Sequence, residues 1–448
     1  MLFWIVNRVV CTIYKPMRSI KFAFESIHLS GWDGAVLLTE AYLSNNAKAD
    51  ELLSSLPDGY KGQRRATCQS LFLGALRHGH CIRHAFRPHL RRTPPPRLEA
   101  VLLVAGYEIL REPPEKHPKV VHHAVERGKQ LLRAPEVRFL NAVLRKLPDA
   151  LAKIDPYKEP GAWFSHPDWL VRRWEASFGR DATRKFLEWN QRIPSTYIRF
   201  ARTDAEPPEG ARPTPWPGFY RITAAALSSE QIVQQLKNGE AYIKDPATRL
   251  APDLLAPKAG ELVLDLCAAP GGKAFDLANQ MDRKGALIAV DLPGSRIERL
   301  RENLKPLETR DFNCHIVPAD VLTLASTELA ARQLPETSDA VMLDAPCSNT
   351  GVIQRHPDIK WRLQPDDIEN RARLQKELLA SAARLVRPGG RLVYSTCSIE
   401  ARENRAVVEA FLASREGETF SLTELIESLP WETGHDGASA FLLQKHDS

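Results

Sequence analysis

Residues 264–273 read LDLCAAPGGK. An apolar run ends in an acid, a Gly-Gly turn follows, and a helical pattern begins. Glycine lacks a Cβ and tolerates positive φ, so Gly271 and Gly272 let backbone approach a ligand closely. Asp291 lies about 20 residues on, at the end of the next apolar run, where a carboxylate can take ribose hydroxyls. Strand, turn, helix and distant acid together predict a site for an adenosine-containing ligand.

The same alternation continues from about residue 241 onward. Predicted strands are ELVLDLC (261–267), GALIAVD (285–291), NCHIVPA (313–319), DAVMLD (339–344) and RLVYSTC (391–397). Helical stretches such as SRIERLRENLKPL (295–307) and IENRARLQKELLASAARLV (368–386) lie between them. Nearly continuous apolar strands alternating with helices predict an α/β fold, a doubly wound parallel sheet covered on both faces. Ligands then bind at the carboxyl ends of the strands. Asp265, Asp291, Asp320, Asp344 and Cys397 fall at or near such ends.

Upstream the pattern is different. AVLLTEAYL (35–43), CQSLFLGALRHGHCIRHAF (68–86), RLEAVLLVAGYEIL (97–110), KVVHHAVERGKQLL (119–132) and RFLNAVLRKL (138–147) place apolar residues at i, i+3 and i+4. Prolines in RRTPPPR (91–97) and REPPEKHP (111–118) break the pattern. Residues 30–150 therefore read as an all-helical domain. Residues 151–240 read as a small mixed α/β connector, with a helix at 166–179, a strand at 195–200 and a proline-rich loop at 205–218. Residues 241–448 form the α/β domain, and residues 1–29 an N-terminal extension. That extension is apolar and basic, but Asn7 and Arg8 interrupt it and no small-residue cleavage site follows. A secretory signal is not expected; a transit peptide or an over-long start are the remaining readings.

The chain has 448 residues and a net charge of +6. Residues 30–150 alone carry 19 Lys and Arg against 12 Asp and Glu. Between Lys61 and Arg97 there are nine basic residues, four histidines and no acid. Such a stretch is either a solvated helix face or a surface for a polyanion. No apolar run reaches the ~18 residues of a membrane span. Seven scattered cysteines with no Cys-x-x-Cys pair argue against a zinc site and a disulfide framework. Free thiols suit a reducing compartment.

The ligand can be narrowed. With no G-x-G-x-x-G a nicotinamide dinucleotide is disfavoured, and with no G-x-x-x-x-G-K-[ST] there is no phosphate-gripping loop. S-adenosylmethionine (SAM) needs no phosphate cradle, only acids for ribose and adenine. Two strand ends also carry cysteines, in LDAPCS (343–348) and YSTCS (394–398). A nucleophilic cysteine acts as its thiolate. One chemistry wants a thiolate beside SAM. Cytosine C5 is too electron-poor to attack a methyl group, but a thiolate added at C6 makes C5 enamine-like. An acid stabilises the charge building at N3, and loss of the C5 proton lets the thiolate leave.

On LDLCAAPGGK, LDAPCSNTGVIQRHPDIKW (343–361) and LVRPGGRLVYSTCSIEARENRAVVEAFL (385–412), the chain resembles the RNA cytosine-C5 methyltransferases, most closely the bacterial small-subunit ribosomal RNA type called Sun or Fmu. SHPDW (165–169) and NQRIP (190–194) also match, and residues 30–150 are similar to the NusB fold. The resemblance implies a Rossmann-like SAM-dependent methyltransferase domain behind a NusB-like RNA-binding domain. It implies that Cys397 attacks C6 and that Cys347 assists release. It maps SAM contacts onto Cys267, Ala268, Ala269, Pro270, Gly271, Gly272, Lys273, Asp291, Asp320 and Asp344. Asp344 would lie between cofactor and base, with Lys273 as its polar partner.

Two departures stand out. Lys244-Asp245-Pro246 replaces the usual Gln-Asp, which implies a different start to the following helix. Ala274 replaces a Thr or Ser, which implies a lost hydroxyl near the cofactor.

The expected reaction is methylation of C5 of a cytosine in small-subunit ribosomal RNA, free or in an assembly intermediate. The target base must leave its stack to reach a strand-end pocket. Arg83, Arg87, Arg91 and Arg92 are candidate phosphate contacts. Arg355, Lys360, Trp361 and Arg362 are candidates to line the RNA path. No membrane and no metal partner is expected, and the chain is expected to act as a cytoplasmic monomer. Transfer RNA as the substrate, or a non-catalytic RNA-binding factor, are the alternatives.

Overall fold

The computed structural model describes residues 30–200, 209–307, 312–324 and 326–447. The extension at 1–29 and the first part of the proline-rich loop, 205–208, lie outside them. The described chain forms two compact units. One runs to Arg192 and takes in His356–Arg362; the other holds Ile193–Arg355 and the chain from Leu363.

The first unit is helical: α1 Gly31–Asn45, α2 Gly62–Phe86, α3 Pro96–Arg111, α4 His117–Leu131, α5 Ala134–Leu151, α6 Asp168–Phe178 and α7 Arg180–Gln191, with short helical turns between them. Each begins where sequence chemistry allows. Ser30 caps α1, and the Asp33 carboxylate accepts the Ser30 N–H at 2.8 Å. Asp33 is fully buried and also takes Arg127 Nε of α4 at 2.9 Å, so the capping acid ties two helices together. Proline opens α3, where its missing N–H costs nothing. Leu38, Phe72, Ile82, Leu102, Val104 and Leu144 fill the core. Truncating any one of them to alanine should cost about 2–5 kcal/mol.

The second unit opens with a small antiparallel sheet of β1 Thr196–Phe200, β2 Ala211–Pro213, β3 Phe219–Ile222 and β4 Ala241–Ile243, in the order β2-β3-β1-β4. The proline-rich stretch read as a loop thus supplies a strand. It is an edge strand, the place where proline's missing donor is tolerated.

The main sheet has β5 Leu262–Leu266, β6 Ala286–Asp291, β7 Asn313–Pro318, β8 Ser338–Asp344, β9 Val386–Thr396, β10 Phe420–Ser428 and β11 Ala438–Lys445, in the order β10-β11-β9-β8-β5-β6-β7. β7 to β9 across the sheet are parallel; β10 and β11 add an antiparallel edge. Helices α8 Gly272–Gln280 and α9 Ser295–Leu304 cover one face, α10 Pro365–Arg384 and α11 Arg405–Leu412 the other. The doubly wound α/β expectation holds. Strand order reverses beside β5, which has β6 on one side and β8 on the other. That reversal opens a crevice at the carboxyl ends of β5 and β8.

The expected connector at 151–240 is divided: its helices up to Gln191 belong to the first unit, and its strands, with the helices Ala224–Leu227 and Glu230–Lys237, to the second. Among the described residues no helix is long and apolar enough to cross a membrane.

Candidate functional site

The turn after β5 is held from several sides. Ala268 N–H donates to Val290 O at 3.0 Å and Gly271 N–H to Ala268 O at 2.8 Å. Asn303 Nδ2 donates to Pro270 O at 2.7 Å. Gly271 has a φ of +105°, and a Cβ added at Gly272 would meet nothing within 4 Å. The backbone there is shaped by its neighbours and bare on one side.

Carboxylates ring this turn. Asp265, at the end of β5, is fully buried, and neither of its oxygens has a hydrogen-bond partner. Burial, then the negative charge of Asp344, push its carboxyl well above the usual range, against the pull of Lys273. Asp291 ends β6 and is buried; its Oδ2 accepts Ala269 N–H at 2.8 Å and its Oδ1 accepts Leu292 N–H at 2.8 Å. Asp320, just past β7, turns the chain by accepting Leu322 N–H at 3.0 Å.

These groups fit SAM. A buried carboxyl without a partner is costly, and SAM carries an ammonium and a sulfonium to offset it. Its ribose hydroxyls and adenine amino group need acceptors, which the strand-end acids supply. Lys273, Asp265, Asp291, Asp320 and the turn 267–272 could hold it. Asp291→Ala should raise the SAM dissociation constant roughly 10- to 100-fold, since a charge-assisted hydrogen bond is worth ~1.5–3 kcal/mol and the Ala269 anchor goes with it. Calorimetry showing wild-type affinity would sink that assignment.

Ala274 is fully buried in the core behind the turn. A hydroxyl there would face packed side chains, so the expected loss of a cofactor contact is corrected. Asp245 caps the next turn by accepting Ala247 N–H at 2.9 Å. Lys244 reaches Asp276 of α8 at 2.5 Å.

The cysteines separate into two kinds. Cys267 is pushed up to about 12, first by burial and then by Asp291, and stays an unreactive thiol. Cys347 and Cys397 meet, with their sulfurs 3.4 Å apart. Asn349, at a φ of +60°, turns back so that its Oδ1 accepts from Cys397 Sγ at 2.9 Å. Gly351 N–H donates to Cys397 O at 3.0 Å, and a Cβ at Gly351 would sit 2.7 Å from that oxygen. Only glycine lets the two loops close. The Cys397 hydrogen bond and then burial raise the Cys347 thiol well above its ordinary value.

Beside the thiols, Lys273 Nζ lies 2.6 Å from Asp344 Oδ2, and Ser395 Oγ donates to Asp344 Oδ1 at 3.0 Å. Ser395 is level with Asp344 in the β8–β9 register. Burial pulls the Lys273 ammonium down, but Asp344, and then Cys397, more than restore it, and the net shift is upward. Lys273, Asp344, Ser395, Cys397, Thr248 and Ser439 border one cavity. Sequence reading found both cysteines, Asp344 and Lys273. It missed Ser395, Asn349 and Gly351, although all three lie in the quoted motifs.

The basic candidates divide. Arg87, Arg91 and Arg92 are exposed, whereas Arg83 is half-buried and paired with Glu99 at 2.5 Å. Three candidates for the RNA path are corrected. Arg355 is held by Asp436 at 2.6 Å and by Asp245, with Ser195 O at 3.0 Å. Lys360 has no exposed surface and donates to Arg77 O at 2.8 Å within the helical unit. Trp361 Nε1 donates to Leu76 O at 2.9 Å. These side chains are occupied in folding. Arg362 pairs with Asp358 at 3.2 Å. Among the described residues no three His, Cys, Asp or Glu side chains gather as metal ligands.

Residues 252–448 match the model of the 16S rRNA methyltransferase RsmB/F family, and residues 35–149 match the NusB family. A ribosomal RNA small subunit methyltransferase B of Xanthomonas campestris is 32% identical over 84% of this chain and 86% of its own. One from Vibrio cholerae is 36% identical over 64% of this chain and 66% of its own. The crystal structure of PH0851 shares the fold, with a TM-score of 0.71 and 24% identity over 94% of this chain and all of that one. With a SAM site on a doubly wound sheet, a NusB domain before it and relatives of this identity along most of its length, the chain belongs to the RsmB/F family of methyltransferases.

Proposed function

We propose that this protein methylates C5 of a cytosine in small-subunit ribosomal RNA, in the cytoplasm, through a covalent bond between Cys397 and C6 of the base. The observation that carries this reading is the pair of thiols 3.4 Å apart beside the Lys273–Asp344 pair. SAM, when bound, supplies an electrophilic methyl group.

The chain's own residues do the rest. Cys397 adds to C6 as its thiolate, beside the Lys273 ammonium that attracts it. Lys273 and Asp344 share a proton-bearing contact and answer the charge that builds at N3. Once C5 is methylated, water takes its proton, the C5–H electron pair restores the C5–C6 double bond, and the C6–S bond breaks with its electron pair returning to sulfur. Cys347 keeps its proton, so its S–H faces the departing Cys397 thiolate and stabilises it.

The helical unit supplies phosphate contacts through Arg87, Arg91 and Arg92. Changing all three to glutamine should flatten the salt dependence of RNA binding. Each lost contact takes about 0.7–0.9 from the slope of log K against log salt. Anisotropy titrations at several salt concentrations measure this, and an unchanged slope would make the patch a solvated face. Bisulfite mapping of ribosomal and transfer RNA from a deletion strain tests the substrate. A modified cytosine lost from transfer RNA alone would replace this reading.

A further inference from the structure

Glu403 has no exposed surface and sits in the turn before α11. Its Oε1 accepts Ser348 N–H at 2.8 Å and Gln375 Nε2 at 3.2 Å. Its Oε2 accepts the Ser398 hydroxyl at 2.5 Å and also the Ser348 hydroxyl. Ser348 follows Cys347, and Ser398 follows Cys397. One carboxylate therefore holds the residue after each cysteine. The two serine oxygens lie 3.2 Å apart, and Thr350 Oγ1 lies 3.1 Å from Ser398 Oγ. The carbonyl of Glu403 accepts the Tyr394 hydroxyl at 2.5 Å, which fixes its backbone to β9. Nothing in the reaction as described above uses this acid. Apolar residues would fill the space without the cost of burying a charge. Four donors converge on it, a pattern that suits an acceptor-only carboxylate.

We propose that Glu403 is the positioning residue of the thiol pair, clamping the two cysteine loops so that Cys347 and Cys397 meet at 3.4 Å. Its charge has a second effect: after the Cys397 hydrogen bond, burial and the Cys397 charge, it adds to what disfavours a thiolate at Cys347 and leaves the nucleophile's role to Cys397. The titratable groups around Cys347 are Cys397, Glu403 and Tyr394, while Lys273 and Asp344 face Cys397 and the cavity. The inference rests on the covalent reading for its consequence, but not for its first test.

That test uses the full chain carrying Cys397→Ala, so that Cys347 has no thiol partner. Iodoacetamide alkylation of Cys347 is followed against pH by peptide mass spectrometry, with and without Glu403→Gln. Glutamine keeps the size and removes the charge. The alkylation midpoint should move down. A midpoint that stays or rises overturns the charge assignment, because a merely structural role predicts no downward move.

The clamp is tested in Cys347→Ala protein by the rate of covalent RNA adduct formation, with SAM affinity as the check on folding. Adding Glu403→Ala should slow the rate roughly 10- to 100-fold, the cost of misplacing a reacting group. Glu403→Gln should restore part of it. Equal rates in all three overturn the clamp. If Cys347→Ala alone forms no adduct, the covalent reading fails, and the alkylation midpoint still decides the role of Glu403.

Discussion

Cys347→Ala protein mixed with target RNA and SAM should accumulate RNA covalently held through Cys397, seen as a slow band on a denaturing gel. Cys397→Ala should form none and lose turnover by roughly 10⁴-fold or more, as when other covalent enzymes lose their nucleophile. The asymmetry follows from the site. Attack needs a sulfur beside Lys273 that reaches the cavity, and Cys397 borders that cavity. Release needs a proton donor at the departing sulfur, and Cys347 lies 3.4 Å from it. Without Cys347, bond formation and methylation proceed and the product stalls.

A trapped adduct is sharper proof than lost activity, because either variant could lose activity by misfolding. The band should vanish in the double variant. A band with Cys397→Ala and none with Cys347→Ala would reverse the roles. No band with either variant, and activity kept in both, would exclude covalent catalysis by this pair.

The two cysteines were legible because each closes an apolar run, and a sheet buried on both faces leaves only its strand ends for chemistry. Arg355 and Lys360 of RHPDIKWR (355–362) were misread for the opposite reason. Charge alone does not separate a surface from a buried ion pair. The partners of Arg355 are Asp245, 110 residues away, and Asp436, 81 residues away. Lys360 meets the carbonyl of Arg77, 283 residues distant. No local pattern carries such pairings.

β10 escaped because an edge strand exposed along most of its length lacks the continuous apolar run of the central strands, and β11 because it pairs antiparallel between β10 and β9, outside the strand–helix alternation. Glu403 was quoted within its motif but given no role. Its four donors come from three separate segments of chain. Its neighbour Asn404 gives a partial signal, since its Oδ1 accepts the Thr396 hydroxyl at 2.6 Å and its Nδ2 donates to Ser398 O at 2.9 Å. A polar pair before a helix of apolar residues is a place to look for such a brace.

The helical unit should lose stability steeply as pH falls below about 6.5, the value of an unperturbed histidine. His166 is fully buried, with Nδ1 at 2.6 Å from Phe164 O and Nε2 at 3.2 Å from Asn190 Nδ2. The neutral ring satisfies both, donating from Nδ1 and accepting at Nε2; a second proton would set N–H against N–H. Burial, then the charge of Lys360, hold His166 well below its ordinary value. His78 is lowered to about 3 by burial, then Lys360 and Arg77, and His80 is lowered chiefly by burial. All three folded values are depressed, so below about pH 6.5 the unfolded chain takes up protons that the folded unit refuses. The stability contributed is full above that pH and is lost on going down. At pH 5 a histidine held as low as His78 costs about 2 kcal/mol, a large share of a typical domain's ~5–15 kcal/mol. Lys360 is likewise lowered, first by burial, so it extends the rise toward alkaline pH. Hydrogen exchange on the full chain, corrected for intrinsic rates, separates the units. Protection in α2 should fall between pH 7 and pH 5, while β5 changes less. His166→Asn keeps a donor toward Phe164 but cannot titrate, so it should lower stability at pH 7 and flatten the slope. Unchanged protection in α2, or a full slope in that variant, would show that these histidines take up protons in the folded state as readily as in the unfolded one.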